Sequence, residues 1–144
     1  HPRYDAKRRS YLYHVHNTPV RSPLYRFHSW HIARQLDVQQ MNRAAKYLVG
    51  QQDFATFGKP PQGENTVREV FEARWQLRAP YVRFCIEANA FLYRMVRSLV
   101  GSLVAVGTGA WSVDEFVAAL KVCDRHRSAP AAPPQGLFLA SVTY

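Results

Sequence analysis

Phe91, Met95, Leu99 and Leu103 recur at spacing four, and Val96 and Val100 widen the stripe they form. That periodicity predicts a helix over Ala90–Val106 with most of its circumference buried, ended by Gly107 and Gly109. Such a helix must be covered on more than one side, and the preceding sequence supplies the cover. Thr66–Leu77 and Tyr81–Ala88 both alternate with the period of strands that bury one face. The first places Val67, Phe71, Ala73, Trp75 and Leu77 on one side, with Glu69 as the exception, and Arg78-Ala79-Pro80 turns the two into a hairpin.

The flanking segments complete the pattern. Over Ser10–Asn17, Tyr11, Tyr13 and Val15 alternate with Leu12, His14 and His16, and the stretch from Thr18-Pro19 to Ser22-Pro23 breaks the strand. Tyr25–Ile32 reads as a second short strand. Asp37 and Gln40 form a capping box for a helix over Val38–Val49, whose buried stripe is Val38, Met41, Ala45, Leu48 and Val49, with Gly50 closing it. Ser112 and Glu115 cap a last helix that buries Val113, Phe116, Val117 and Leu120. Ala129–Gly136, with three prolines, is a stiff loop into a closing strand over Leu137–Tyr144. Strand, helix, hairpin, helix, helix, strand describes an α+β chain: an antiparallel sheet with helices packed on one face, residues 1–144 forming one domain.

Charge narrows the partner. Lys and Arg number 19 against 10 Asp and Glu, a net charge of +9, which favours a polyanion. The first 36 residues concentrate it: Arg3, Lys7, Arg8, Arg9, Arg21, Arg26 and Arg34 face the single acid Asp5. Tyr4, Tyr11, Tyr13, Tyr25, Phe27 and Trp30 are interleaved with them, which favours RNA over a merely solvated basic surface. Phosphates take Arg and Lys, and unstacked bases take flat π-faces. No apolar run approaches the roughly 20 residues of a membrane span. Two cysteines, Cys85 and Cys123, do not make a disulfide framework, so a reducing cytoplasmic setting is expected. The chain begins His1-Pro2 without an initiator Met, which reads as processing or as a piece of something longer.

Familiar catalytic signatures are missing: no phosphate-cradling Gly-rich loop, no Cys-x-x-Cys pair, no Ser or Cys in a nucleophile motif. His14-x-His16, with His28 and His31 nearby, imitates a metal site but lacks acidic or thiolate partners at matching spacing, so no metal is expected. Three segments carry more. Arg3-Tyr4-Asp5-Ala6, then Arg9-Ser10-Tyr11-Leu12-Tyr13, set two tyrosines on one strand face behind a basic run, as RNA contacts or as core residues. Asn89 to Arg97 runs from strand into helix and sets Arg97 among Met95, Val96, Leu99 and Val100. A guanidinium in such company must find an anion, whether Glu87, a phosphate or a catalytic carboxylate. Pro133-Pro134-Gln135-Gly136-Leu137-Phe138-Leu139 positions a backbone before the last strand.

Taken in order, these segments resemble the TruA family of tRNA pseudouridine synthases, in its C-terminal half. The family's His-Ala-Arg-Phe and Tyr-x-Tyr region is similar to His1-Pro2-Arg3-Tyr4 and Tyr11-Leu12-Tyr13; its Asp-Phe-x-x-Phe to Asp53–Phe57. Its Asn-Ala-Phe, Met-Val-Arg and Val-Gly run is similar to Asn89–Phe91, Met95–Arg97 and Val100-Gly101, and its Ala-Pro-x-x-Gly-Leu to Ala132-Pro133 through Gly136-Leu137. The resemblance implies a pseudouridine synthase, ferredoxin-like type of fold and isomerisation of uridine to pseudouridine in the tRNA anticodon stem-loop, without cofactor or metal. It further implies a homodimer and a nucleophilic Asp in an Arg-Thr-Asp-Ala-Gly motif, which this sequence does not contain. Tyr11 corresponds to the tyrosine that packs on the target base and takes its ring proton, Arg97 to the arginine that pairs with the Asp, and Leu137 to a pocket-lining residue. Arg3, Arg8, Arg9, Tyr13, Asn89, Phe91 and Arg94 are the further expected substrate contacts. Tyr93 and Arg94 stand where the family often has other polar residues, and Gly58–Asn65 lacks the extra basic residues common there. An RNA-binding module without chemistry, or a dimerisation domain with a basic surface, are the alternative readings.

Overall fold

The computed structural model describes residues 7–144. Six strands and three α-helices are formed among them. The central strand is β1 (Arg8–Asn17), which β5 (Tyr81–Ala88) pairs antiparallel along Arg9–His16. Its other edge is shared: β6 (Leu137–Thr143) runs antiparallel beside Arg8–Tyr13, and β2 (Trp30–Ile32) runs parallel beside Val15–Asn17. Beyond β5 lie β4 (Val67–Arg78) and β3 (Gly50–Asp53). The sheet is therefore mixed, not antiparallel throughout. The reason lies in residues 18–29, which carry the chain back alongside β1 before β2 begins, so the two strands start from the same end.

The helices α1 (Val38–Ala45), α2 (Met95–Gly107) and α3 (Val113–Val122) cover one face. Strand β5 shows this most directly: Val82, Phe84, Ile86 and Ala88 are buried, and the residues between them are half-buried. Helix α2 is apolar almost all round, with Met95, Leu99, Val100 and Leu103 fully buried between sheet and loops. Asp37 accepts from the Gln40 backbone N–H at 3.1 Å, but the Gln40 side chain accepts from Arg43, so the expected capping box is half made. At Ser112 both halves are present.

Two departures have physical causes. The alternation expected along β4 is interrupted by a bulge between Val70 and Glu72, so Val70 turns inward while Val67 is exposed; Leu77 stays on the face of Ala73 and Trp75 but is exposed near the strand end. Helix α2 begins at Met95 rather than Ala90. Tyr93 pairs its backbone with Lys59, and Arg94 adopts φ 62, which ends the extended segment before the helix can start.

Candidate active site

Partner residues in register share a face, so Tyr11 lies with Ile86 and Leu139, and Tyr13 with Phe84 and Leu137, on the helix-covered side. Two residues towards the chain start on that face is Arg9, half-buried beside Ala88. Tyr13 is fully buried; Tyr11, nearer the strand end, is half-buried. Phe91, in the turn between β5 and α2, meets Tyr11 edge to face, with ring centroids 5.0 Å apart and planes at 88°.

Arg97 projects from the first turns of α2 to the same place. Its Nε donates to the Ala132 carbonyl at 2.7 Å, and the Ala132 N–H donates back to the Arg97 carbonyl at 2.9 Å. Beside it the Tyr13 hydroxyl donates to the Pro133 carbonyl at 2.5 Å. The proline-bearing loop thus presents two successive carbonyls to two side chains of the site. Burial pushes the Tyr13 phenol well above its usual range, and the Arg97 charge opposes this only partly. Tyr13 is a neutral donor that holds the loop.

Glycines permit the close approach. A Cβ on Gly101 would collide with the Pro130 carbonyl, and one on Gly136 would lie 2.7 Å from Tyr13 Cζ and 2.8 Å from the His14 carbonyl oxygen. Ser102 adds a further tie, accepting the Ala129 N–H at 3.2 Å. The loop runs along α2 from Ser102 to Arg97 and enters β6 under Tyr13.

Glu87, the first carboxylate the sequence offers to Arg97, is committed elsewhere. It accepts from Arg8 at 2.8 Å and from Ser10 at 3.1 Å on the uncovered sheet face, where the Arg8 guanidinium also lies 4.1 Å over the Phe71 ring. Asp53 binds Ala55 N–H and Thr66, and Asp124 caps His126. Among the described residues Arg97 has no carboxylate within ion-pair distance, and none of its terminal N–H groups is hydrogen-bonded.

The structure therefore brings Arg9, Tyr11, Tyr13, Phe91, Arg97 and Leu137 together. Arg8 belongs to the opposite face. Arg94 is exposed at the start of α2. Asn89 serves the sheet: its Oδ1 accepts the Glu69 N–H and its own N–H donates to the Glu69 carbonyl, both at 2.9 Å, next to the bulge. Arg3 lies outside the described residues. The carbonyls of Ala132 and Pro133 and the packing need at Gly101 escaped the sequence reading; the proline run was their one visible signal. No group of three metal-ligating side chains occurs among the described residues, nor is any helix there long and apolar enough to cross a membrane.

The sequence of this α+β chain matches a known class. Residues 44–144 match the family model of tRNA pseudouridine synthase, and the chain belongs to that family. Over its whole length it is similar to proteins named tRNA pseudouridine synthase A: 39% identical over 145 residues to that of Thermoanaerobacter sp. (strain X514), covering 59% of it; 40% over 146 residues to that of Pseudothermotoga lettingae, covering 60%; and 41% over 145 residues to that of Maricaulis maris, covering 58%. The chain spans about three fifths of the length of these curated relatives.

Proposed function

We propose that this chain forms one wall of a site that isomerises uridine to pseudouridine in the anticodon stem-loop of tRNA, and that the nucleophilic aspartate comes from a preceding half of the same enzyme. The observation that carries the reading is Arg97. One of its five N–H donors is spent on Ala132, fixing the guanidinium plane, while among the described residues nothing binds the terminal nitrogens, which suit a planar anion. A carboxylate seated there is kept ionised and oriented, the condition for a nucleophile.

The remaining roles follow from position. The aspartate attacks the nucleotide and the bond from C1′ to N1 breaks. The base turns, C5 bonds to C1′ as the aspartate's bond to the nucleotide breaks and its carboxylate is released, C5 loses its proton and N1 gains one, so atoms balance without a cofactor. Tyr11 offers its ring to the extruded base and its hydroxyl to the C5 proton, with Phe91 bracing the ring. Leu137, half-buried beside Tyr13, lines the pocket. Arg9 supplies positive charge at the site's edge, and the net charge of +9 gives the tRNA backbone a general attraction. The working assembly is a homodimer that grips tRNA across both subunits.

The test uses a tRNA transcript tritiated at uridine C5. The whole protein releases label from the anticodon arm; this chain alone releases none; adding the preceding half restores release, and changing its aspartate to Ala abolishes it. Release by this chain alone, or none by the whole protein, overturns the reading. In the second case tRNA binding that persists leaves an RNA-binding module.

A further inference from the structure

The shared edge of β1 leaves a notch. Strand β6 begins opposite Tyr13 and β2 begins opposite Val15, so neither covers the strand at His14. The turn before β6 closes the notch from one side and the loop of residues 18–29 from the other. Between them lies a cavity of about 130 Å³. Its polar lining includes His16, Arg21, Arg26, Ser29, His31 and Gln135, with no carboxylate among its lining residues.

The chemistry of that lining is one-sided. Two guanidiniums, the Gln135 amide and the His16 imidazole face a space too small for a nucleobase and its sugar together. His16 is only 3% exposed and its ring makes no hydrogen bond to any described residue, lying instead against Tyr25, with centroids 4.5 Å apart, and His31, at 5.8 Å. Its ring nitrogens are not sealed inside the protein but open to the cavity, where a hydrogen-bonding ligand can reach them. His31 is oriented by a 2.8 Å contact with the Thr18 carbonyl, and the Ser29 hydroxyl by a 2.6 Å bond to the Tyr25 carbonyl. His31 and Ser29 are thus fixed in the wall of the cavity, and Arg21 and Arg26 are exposed at its mouth.

From this we infer that the notch is a phosphoryl-binding pocket, separate from the Tyr11–Arg97 site. Tetrahedral oxyanions suit several converging donors with two arginines at the mouth. His16 lies five residues along β1 from Tyr11, about 16 Å at strand rise, and its side chain is on the opposite face. The ligand's phosphoryl group comes from free phosphate or from a nucleic-acid strand. Phe27 favours the strand: it is 65% exposed, with the guanidinium of the lining residue Arg26 4.4 Å over its ring, an aromatic face for base stacking beside a candidate phosphate contact. The strand source rests on the RNA reading above; the phosphoryl pocket does not.

Calorimetric titration of inorganic phosphate into the whole protein tests the pocket without reference to turnover. One phosphate binds per chain, and Arg21→Gln with Arg26→Gln weakens it at least tenfold, whereas Arg43→Gln, on exposed α1, leaves it unchanged. Both arginines are exposed, so the double variant keeps its fold, and His16→Gln provides a second probe from inside the cavity with the same expected loss. An oligouridylate that displaces phosphate from the wild type, and an uncharged methylphosphonate version that does not, identify a strand as the source. Phosphate binding without competition from the oligouridylate assigns the pocket to free phosphate. Absence of saturable phosphate binding, or equal binding by the double variant and the Arg43 control, overturns the inference.

Discussion

Arg97 and Ala132 hold each other twice, side chain to carbonyl at 2.7 Å and backbone N–H to carbonyl at 2.9 Å. This reciprocal link fixes the guanidinium before any anion arrives, so its orientation does not depend on the group it receives. Lysine at this position keeps the charge but loses both the Nε anchor and the planar fork. Arg97→Lys and Arg97→Ala are both expected to lower turnover of the whole enzyme by roughly a hundredfold or more, as misplacement of a reacting group does. Binding of tRNA, measured by filter retention, should change only a few-fold. Equal losses in binding and turnover would place Arg97 on the substrate backbone instead.

Gly101 tests the same loop through packing. A methyl group there meets the Pro130 carbonyl, which is backbone and cannot swing aside. Gly101→Ala is expected to cost about 1–3 kcal/mol in urea unfolding, the usual range for overpacking. It should also push the loop off α2 and so weaken the seat of Arg97. Gly63→Ala, where a Cβ would meet nothing within 4 Å but φ is +69°, is the control that separates backbone strain from collision.

Tyr13 links the site to alkaline stability. Its phenol is raised in the folded protein above the unfolded value near 10.0, burial being the main cause. A group whose neutral form is favoured by folding contributes fully below the unfolded value, and its contribution is lost as pH rises beyond it. Unfolding free energy should therefore fall as pH climbs past about 10. Tyr13→Phe loses the bond to Pro133, about 1 kcal/mol at neutral pH, but its stability should decline less steeply above pH 10. Tyr81 and Cys123, raised in the same direction chiefly by burial, contribute to the slope that remains.

Much of this architecture is legible in the chain because periodicity reports burial. The stripe through Met95, Leu99 and Leu103 and the alternation of Val82, Phe84 and Ile86 are each imposed by one partner surface. What sequence conceals is pairing between distant segments. The parallel placement of Trp30–Ile32 depends on where residues 18–29 turn, and the bulge after Val70 adds a residue that no local pattern announces. In the site, Tyr11 and Arg97 stand out by residue type, whereas Ala132 and Pro133 act through carbonyls, which every residue has. The commitment of Glu87 to Arg8 is likewise invisible until strand register is known.

Asn89 illustrates the same point. Its amide oxygen and backbone N–H bridge Glu69 across the sheet beside the bulge. Asn89→Ala leaves the Glu69 N–H without its acceptor, so a loss of about 1 kcal/mol in thermal or chemical unfolding is expected. Affinity for tRNA should stay within twofold of the wild type. A large drop in affinity with unchanged stability would show that Asn89 contacts the substrate.

Tyr11 allows stacking and proton transfer to be separated. Its ring leans on Phe91, and its hydroxyl makes no hydrogen bond to any described residue, so removing the hydroxyl should cost the fold little. Tyr11→Phe retains the π-face, and Tyr11→Leu removes it. If the hydroxyl takes the C5 proton, Tyr11→Phe lowers single-turnover rates by about a hundredfold or more, within the range of general base catalysis, with tRNA affinity unchanged. Tyr11→Leu should be slower still and should also bind less tightly, since base stacking on an aromatic ring is worth about 1–3 kcal/mol. Tritium release measured with enzyme in excess over substrate distinguishes the steps, because product dissociation then drops out. Full activity in Tyr11→Phe would assign the proton to water or to the nucleophile itself and leave Tyr11 with stacking alone.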